Sequence, residues 1–313
     1  MAINKKLLNE NADRLDSAPV SLIGSAKSQE QKLLAEALAI LDEFEFTGGF
    51  AEISEKNLLE LENLINRLSQ IIREGGFSKG VTSYLKEFDA SARNTLDFLK
   101  GSFGEIGSLD KARNVLINNK KQTAQILTGT GLDPVMNNIK SQVNNSLAGM
   151  ASKQEITELL TGMLVSNDER LSLFTRHISQ NAFDRIAFSD RSFTQVINEN
   201  IEGQFWLYFG GSSKDTRAFC LERNGKFWHT NEIQQWGVGK KQAPLKLPSN
   251  GTWQGRIPST NSGNIFVNLG GFNCQHSLMP VSVFDVPKDT LQRNISSGNF
   301  KPTKKEKELL NIT

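Results

Sequence analysis

The sequence predicts an α+β fold, in which an extended N-terminal helical region precedes a small C-terminal domain of short antiparallel strands and loops packed on a long helix. Before Gly203, apolar residues recur at helical spacing. After it, short aromatic and β-branched runs alternate with turn residues. We therefore divide the chain into an N-terminal arm (1–27), a helical region (28–165), a C-terminal domain (166–290) and a polar tail (291–313). With these boundaries, removing 1–165 is expected to leave a soluble domain.

The predicted helices are bounded by capping residues. Capping boxes fit Ser28–Gln31, Ser152–Glu155 and Ser166–Glu169, Ser54 fits an N-cap, and Gly75-Gly76 ends the helix that Ser54 begins. Between such signals the apolar stripes predict helices over 31–46, 55–74, 78–100, 108–128, 133–149, 152–165 and 167–201.

Five short runs predict the strands of the C-terminal domain, at 205–209, 218–221, 226–229, 264–269 and 278–284. Asn224-Gly225 between the second and third run is a strong signal for a two-residue hairpin, because a type I′ turn needs positive φ at both central residues. A long loop rich in Gly, Pro, Ser and Asn follows, from Trp236 to Gly263. Loops of this length usually carry function or contacts.

Both cysteines and two of the three histidines fall within 220–276. In a hairpin closed at Asn224-Gly225, Cys220 faces His229, and opposed Cβ atoms lie about 4.5–5.5 Å apart. Cys274 and His276 are two residues apart and point to the same side of an extended chain. Together the four residues offer a Cys2His2 set, and four protein ligands are typical of a closed, structural zinc site.

Other interpretations of these residues stay open. Free cysteines are commonly buried as small apolar residues. A disulfide between Cys220 and Cys274 is disfavoured because the chain shows no export signal. His177 lies in a helical segment and is interpreted as a packing or surface residue. Asp215 and Arg217 are expected to act structurally, through an ion pair or a turn-capping hydrogen bond.

Composition excludes several classes of protein. The 36 Lys and Arg residues nearly balance the 34 Asp and Glu residues, so net charge gives no case for nucleic-acid binding, and contact with DNA is left open. No apolar run is long enough for a membrane helix. The polar segment 1–16 lacks the apolar core of a secretory signal. A soluble protein made in the cytoplasm is expected.

Two motifs in the region 166–285 resemble a known family. They are Asp215-Thr216-Arg217-Ala218-Phe219-Cys220 and Asn273-Cys274-Gln275-His276, the second followed by an apolar strand. The pair is similar to the C-terminal domain of phage minor head proteins, the phage Mu F-like or head-morphogenesis family of tailed bacteriophages. Gln275 stands where family members often carry arginine, which leaves the ligand types unchanged but weakens a role in phosphate contact.

The resemblance implies a structural virion protein, a minor head protein or a component of the portal vertex or head-to-tail connector, acting in head assembly. It establishes no catalytic activity, and we expect the protein not to be an enzyme. Its implied location is the virion. The implied partners are the portal protein, connector or adaptor proteins, the major capsid protein and copies of itself in a ring. Because isolated amphipathic helices depend on packing of their apolar face, we also expect part of the apolar surface of 28–165 to be covered by these chains. A self-contained helical bundle is the alternative for this region. The alternative is a phage-borne enzyme, either metal-dependent with Glu232 as general base or ADP-ribosyltransferase-like with Ser259-Thr260-Asn261 as its strand motif.

Overall fold

A computed structural model describes residues 3–212, 214–238 and 251–312. The helices of these residues are α1 (Lys5–Lys27), α2 (Glu30–Leu41), α3 (Glu55–Glu74), α4 (Gly76–Phe103), α5 (Asp110–Thr128), α6 (Asp133–Ala148), α7 (Lys153–Leu164), α8 (Leu173–Ile201), α9 (Ala218–Leu221), α10 (Thr230–Gly237), α11 (Ile265–Asn268), α12 (Lys288–Ser296) and α13 (Lys304–Leu310). The strands are β1 (Phe46–Thr47), β2 (Phe50–Ala51), β3 (Phe205–Phe209), β4 (Phe227–His229) and β5 (Ser277–Val281). Mostly helical with short antiparallel strands, the chain has the predicted α+β class.

The chain forms two compact units that do not follow the linear boundaries proposed above. The first unit comprises 1–17, 87–120 and 183–313, and the second comprises 18–86 and 121–182. The reason is a shared core. Apolar residues of α1, α4 and α5 pack in one cluster with residues of β3 and β5, among them Leu8, Phe98, Leu99, Ala112, Phe205 and Met279.

The sheet of the first unit has the strand order β4-β3-β5, with both pairs antiparallel. Its two faces bury different side chains because successive residues of a strand point to opposite sides. Phe205, Leu207 and Phe209 join the cluster that contains α8 residues such as Phe193. Trp206 and Tyr208 join a second cluster, with Phe219, Cys220, Trp228, Trp236 and Cys274. The sheet therefore separates two cores, and the predicted packing on a long helix is confirmed.

The second unit is a set of helices in which α2 packs on α3 and α7, and α6 packs on α3 and α7. Its buried positions follow the apolar stripes of the sequence, including Leu33, Leu61, Leu64, Ile139, Ile156 and Leu160. The short strands β1 and β2 form a separate antiparallel pair.

Two of the predicted caps are confirmed and two are wrong. Ser54 accepts from the Asn57 amide, and Ser152 forms a reciprocal capping box with Glu155. Ser28 instead donates to the Ser25 carbonyl, because the chain there leaves α1 and has only Gln29 before α2.

Ser166 fails as a cap because it bonds a buried carboxylate. Its hydroxyl donates to Glu30 (2.6 Å), as do the hydroxyls of Ser172 (2.7 Å) and Thr175 (2.6 Å). Burial raises the pKa of Glu30, but these hydrogen bonds outweigh it and the net direction is downward. Ser172 accepts from the Thr175 amide and takes the capping place at the start of α8.

Two predicted strands are helical instead. Residues 218–221 form α9, and most of 264–269 forms α11. Asn224-Gly225 does not form the predicted hairpin turn between 218–221 and β4. Strand β4 pairs with β3, and of the two residues only Gly225 has a positive φ. Periodicity alone does not separate such short apolar runs into helix and strand.

The predicted arm and tail are helical over much of their length, as α1 and as α12 with α13. Of the predicted long loop, Trp236 lies buried in α10, and residues 239–250 are outside the described residues. No helix in the described part of the chain is both long and apolar enough to cross a membrane.

Candidate metal centre

Two cysteines meet in the second core of the first unit. Cys220 comes from α9 and Cys274 from the turn before β5, and both side chains are buried. Their Sγ atoms lie 3.8 Å apart. The Tyr208 hydroxyl, from the central strand, donates to Cys220 Sγ at 3.2 Å. Both sulfurs are free thiols.

His276 completes a group of three. One ligand atom each from Cys220, Cys274 and His276 lies within 4.8 Å of the others. The imidazole is buried, and its Nε2 has no hydrogen-bond partner among the residues that the structure describes. A Cβ on Gly210 would lie 2.8 Å from the ring, so this position after β3 has no room for a side chain.

The spacing of this group fits zinc. Two thiolates about 2.3 Å from a tetrahedral ion are separated by about 3.8 Å, and a nitrogen ligand lies about 3.6 Å from each sulfur. The observed sulfur separation of 3.8 Å therefore already matches. The imidazole nitrogen lies within 4.8 Å of each sulfur, so a movement of about 1.5 Å or less brings it to such an ion. Cys220, Cys274 and His276 can thus hold a metal.

His229, the fourth predicted ligand, lies apart from the other three. It pairs with Phe205 in the sheet, on the face opposite to Trp206 and Tyr208. Its ring packs edge-on against Phe205 with centroids 5.2 Å apart, and its Nδ1 accepts from the Asn231 amide at 3.2 Å. Burial lowers the pKa of His229 to about 4. The difference follows from the absent hairpin, which alone would have placed His229 opposite Cys220.

Arg191 was not singled out from the sequence, yet it holds the backbone of the group. This buried α8 residue donates from Nε to the His276 carbonyl (2.8 Å), from Nη1 to the Val267 carbonyl (2.9 Å) and from Nη2 to the Cys274 carbonyl. A planar guanidinium can serve three such acceptors at once. The sequence signal that could have identified Arg191 is an arginine among the apolar positions of a predicted helix.

A second arginine supports the neighbouring turn. Arg217 donates to the carbonyls of Gly270 (3.3 Å) and Phe272 (2.5 Å), and Trp253 Nε1 donates to the same Gly270 carbonyl at 2.9 Å. These contacts agree with the structural role expected of Arg217. The turn packs closely against both sulfurs. A Cβ on Gly270 would lie 2.6 Å from Cys220 Sγ and 2.7 Å from Cys274 Sγ, so only glycine fits there.

The two thiols differ in acidity. The hydrogen bond between the cysteines lowers the pKa of Cys274 well below its usual range, helped by the nearby Arg191 and His276. The same bond, with burial, raises the pKa of Cys220. Cys274 is therefore the first thiol to ionise, and a bound metal would take both as thiolates.

Two carboxylates of α8 anchor the strand and turn that carry the ligands. Asp190 accepts from Ser277 at 2.5 Å and, on its other oxygen, from Asn11 at 2.9 Å. Asp184 accepts from the Asn273 amide. Burial raises the pKa of Asp184 against the opposing effect of that bond. The segment from 273 to 277 is thus fixed along α8 by carboxylates and by Arg191.

The residues suggested for an enzyme are engaged elsewhere. Glu232 accepts from the His229 amide (2.9 Å) and from Arg293 Nε (2.9 Å), at the start of α10. Ser259 lies in a turn and Thr260 and Asn261 in irregular backbone, not in a strand, and Thr260 accepts from Asn268 at 3.0 Å. Both sets therefore support local structure.

A cleft of about 350 Å³ opens beside the metal-ligating group. Its walls are Asp16, Gly211, Ser212, Asp215, Thr216, Arg217, Cys220, Asn273, Cys274, Gln275 and His276. Both family-like motifs therefore contribute to one cavity.

The chain matches no protein-family model, no curated protein and no solved structure.

Proposed function

We propose that the protein is a structural virion component of a tailed bacteriophage, a minor head or portal-vertex protein of the head-to-tail connector that acts in head assembly. The observation that carries the proposal is the contact between the two family-like motifs. Arg217 of one motif bonds the turn before the other, and Cys220 meets Cys274 and His276. These roles hold a small domain together, which is what a building block of a particle requires.

We assign a zinc ion to Cys220, Cys274 and His276 in this proposal. A structural zinc contributes directly to folding because its ligands converge only in the native state. Here it would fasten α9 to the turn before β5. Neither segment has extensive regular backbone pairing, since α9 has four residues and 270–276 consists of turns and irregular backbone.

Exposed apolar residues of the second unit support the proposed contacts with other chains. Phe50, Ile53 and Leu59 are each more than half exposed, around β2 and the start of α3. Met150 is 60% exposed, and the bridge between Phe50 and Ser152 brings its segment beside β2. Grouped exposed apolar side chains are typical of interaction surfaces. The proposed partners are the portal protein, connector or adaptor proteins, the major capsid protein and further copies of the chain.

The proposal is tested on particles. Virions purified by density gradient should contain the chain at a few copies each, and electron microscopy of tagged particles should place it at the portal vertex. Deleting its gene should reduce the yield of filled heads. A chain that is absent from particles, with head assembly unchanged after deletion, would contradict the proposal.

One observation favours the alternative of a metal-dependent enzyme. Three protein ligands beside a cleft leave a coordination position for water, as in catalytic zinc sites. What occupies that fourth position therefore separates the two functions.

A further inference from the structure

The wall of the cleft contains a carboxylate that the sequence did not connect with the cysteines. Asp16 belongs to α1, far from Cys220 and Cys274 in the chain, yet it lines the same cavity. The side chain is half-buried, and its Oδ1 is buried without a hydrogen-bond partner among the described residues. Leaving a buried acceptor without a hydrogen-bond partner is unfavourable.

Two consecutive glycines place Asp16 beside His276. A Cβ on Gly211 would lie 2.7 Å from Asp16 Oδ2, and a Cβ on Gly210 would lie 2.8 Å from the His276 ring. The carboxylate and the imidazole thus pack on adjacent backbone units after β3. Each of them carries a buried atom without a partner, Oδ1 of Asp16 and Nε2 of His276. One metal ion between them would satisfy both.

The charge balance around the metal site favours an anionic fourth ligand. Two thiolates, one carboxylate and a divalent ion leave a net charge of minus one. The buried Arg191 guanidinium, which donates to three carbonyls beside the group, supplies the compensating positive charge. Buried charges are found paired because isolated ones are strongly disfavoured.

We propose that Asp16 supplies the fourth ligand of the metal ion held by Cys220, Cys274 and His276. The inference rests on the proposed zinc site and deepens it. The carboxylate lies outside the group of atoms within 4.8 Å of one another, so metal binding draws the Asp16 side chain inward to an oxygen–zinc distance of about 2.0–2.2 Å. The completed site is closed, which is the structural form, and it fastens α1 to the C-terminal region.

The test compares Asp16→Asn with Asp13→Asn in the full-length chain. Asp13 is the same residue type on the same helix but is exposed and outside the cleft that the three ligands line. Zinc is removed with a chelator and returned in competition with a chromophoric chelator. Asp16→Asn should lower zinc affinity at least tenfold, whereas Asp13→Asn should leave it at the wild-type value. Circular dichroism of both variants checks that they fold.

Cobalt substitution reports on the ligands themselves. The wild-type cobalt protein should show the intense visible bands of a tetrahedral site and sulfur-to-cobalt charge transfer. Asp16→Cys, which offers a third thiolate, should restore tight binding and raise the charge-transfer intensity per cobalt by about one half. Rescue by a different ligand would not follow from a purely packing role of Asp16.

The outcomes separate this inference from the site on which it rests. Unchanged zinc affinity and an unchanged cobalt spectrum in Asp16→Asn would overturn Asp16 as a ligand while the three-residue site stands. A tenfold loss in Asp215→Asn with none in Asp16→Asn would move the ligand to that exposed residue of the same cleft. A wild-type chain that binds neither zinc nor cobalt would overturn both proposals.

Discussion

The buried His229 should make the first unit sensitive to mild acid. Its side chain is only 4% exposed, and burial lowers its pKa to about 4 from an ordinary value of 6.5. Above pH 6.5 the ring is neutral in both the native and the unfolded chain. As the pH falls below that value, the unfolded chain binds a proton that the native chain excludes. Stability is therefore lost between about pH 6.5 and pH 4.

The size of this effect follows from the two pKa values. For one group with pKa 6.5 in the unfolded chain and about 4 in the native chain, the free energy of unfolding falls by about 2 kcal/mol between pH 7 and pH 5. His229→Asn removes the titrating ring but keeps an acceptor for the Asn231 amide, which His229 now provides at the start of α10. The variant should be less stable at pH 7 because the ring leaves a cavity, and it should lack this acid-dependent loss.

Urea unfolding at pH 7 and pH 5, with chelator present, measures the difference. Fluorescence follows the first unit alone, since it contains all four tryptophans, Trp206, Trp228, Trp236 and Trp253. Other groups titrate equally in both proteins, so the wild type should lose about 2 kcal/mol more than His229→Asn. Equal losses in the two proteins would refute the reasoning that burial keeps this ring neutral.

Three further predictions concern packing around the metal-ligating group. Gly270→Ala places a Cβ 2.6–2.7 Å from both sulfurs and should lower zinc affinity at least tenfold in a chelator competition. The control is Gly101→Ala, whose Cβ meets no atom within 4 Å and which should leave the zinc affinity unchanged. Arg191→Lys should reduce the free energy of urea unfolding by about 2–3 kcal/mol, because one ammonium cannot reach three carbonyls; an unchanged midpoint would contradict its positioning role. Removing 1–165 takes away the residues of α1, α4 and α5 that belong to the shared core, so the remaining fragment should fail to fold. A cooperative unfolding transition in this fragment would show that the division into two units is wrong.

The helical region was largely predictable because its signals are local. The stripe from Leu61 to Ile72 and the caps at Ser54 and Ser152 fix α3 and α7 without reference to the rest of the chain. Ser166 was misinterpreted because its hydroxyl bonds Glu30, which is distant in sequence. A capping motif cannot show whether a tertiary acceptor competes for the same hydroxyl.

The metal-ligating group was predictable in composition but not in geometry. Cys220, Cys274 and His276 converge as their clustering suggested, although Cys220 lies on a helix. His229 was misplaced because the hairpin signal at Asn224-Gly225 assumed a partner strand that is helical. Asp16 could not be connected with the cysteines from the sequence, because it lies on α1 and no local pattern links this helix to them. Only tertiary packing brings α1 to the cleft.

Metal content of the ligand variants tests the central claim most directly. Purified wild-type chain should contain one zinc ion per molecule, and Cys220→Ser, Cys274→Ser and His276→Asn should each contain much less. His229→Asn should keep the full zinc content, because His229 lies on the other face of the sheet. A wild type without zinc, or a His229 variant that loses it while the cysteine variants keep it, would contradict the account.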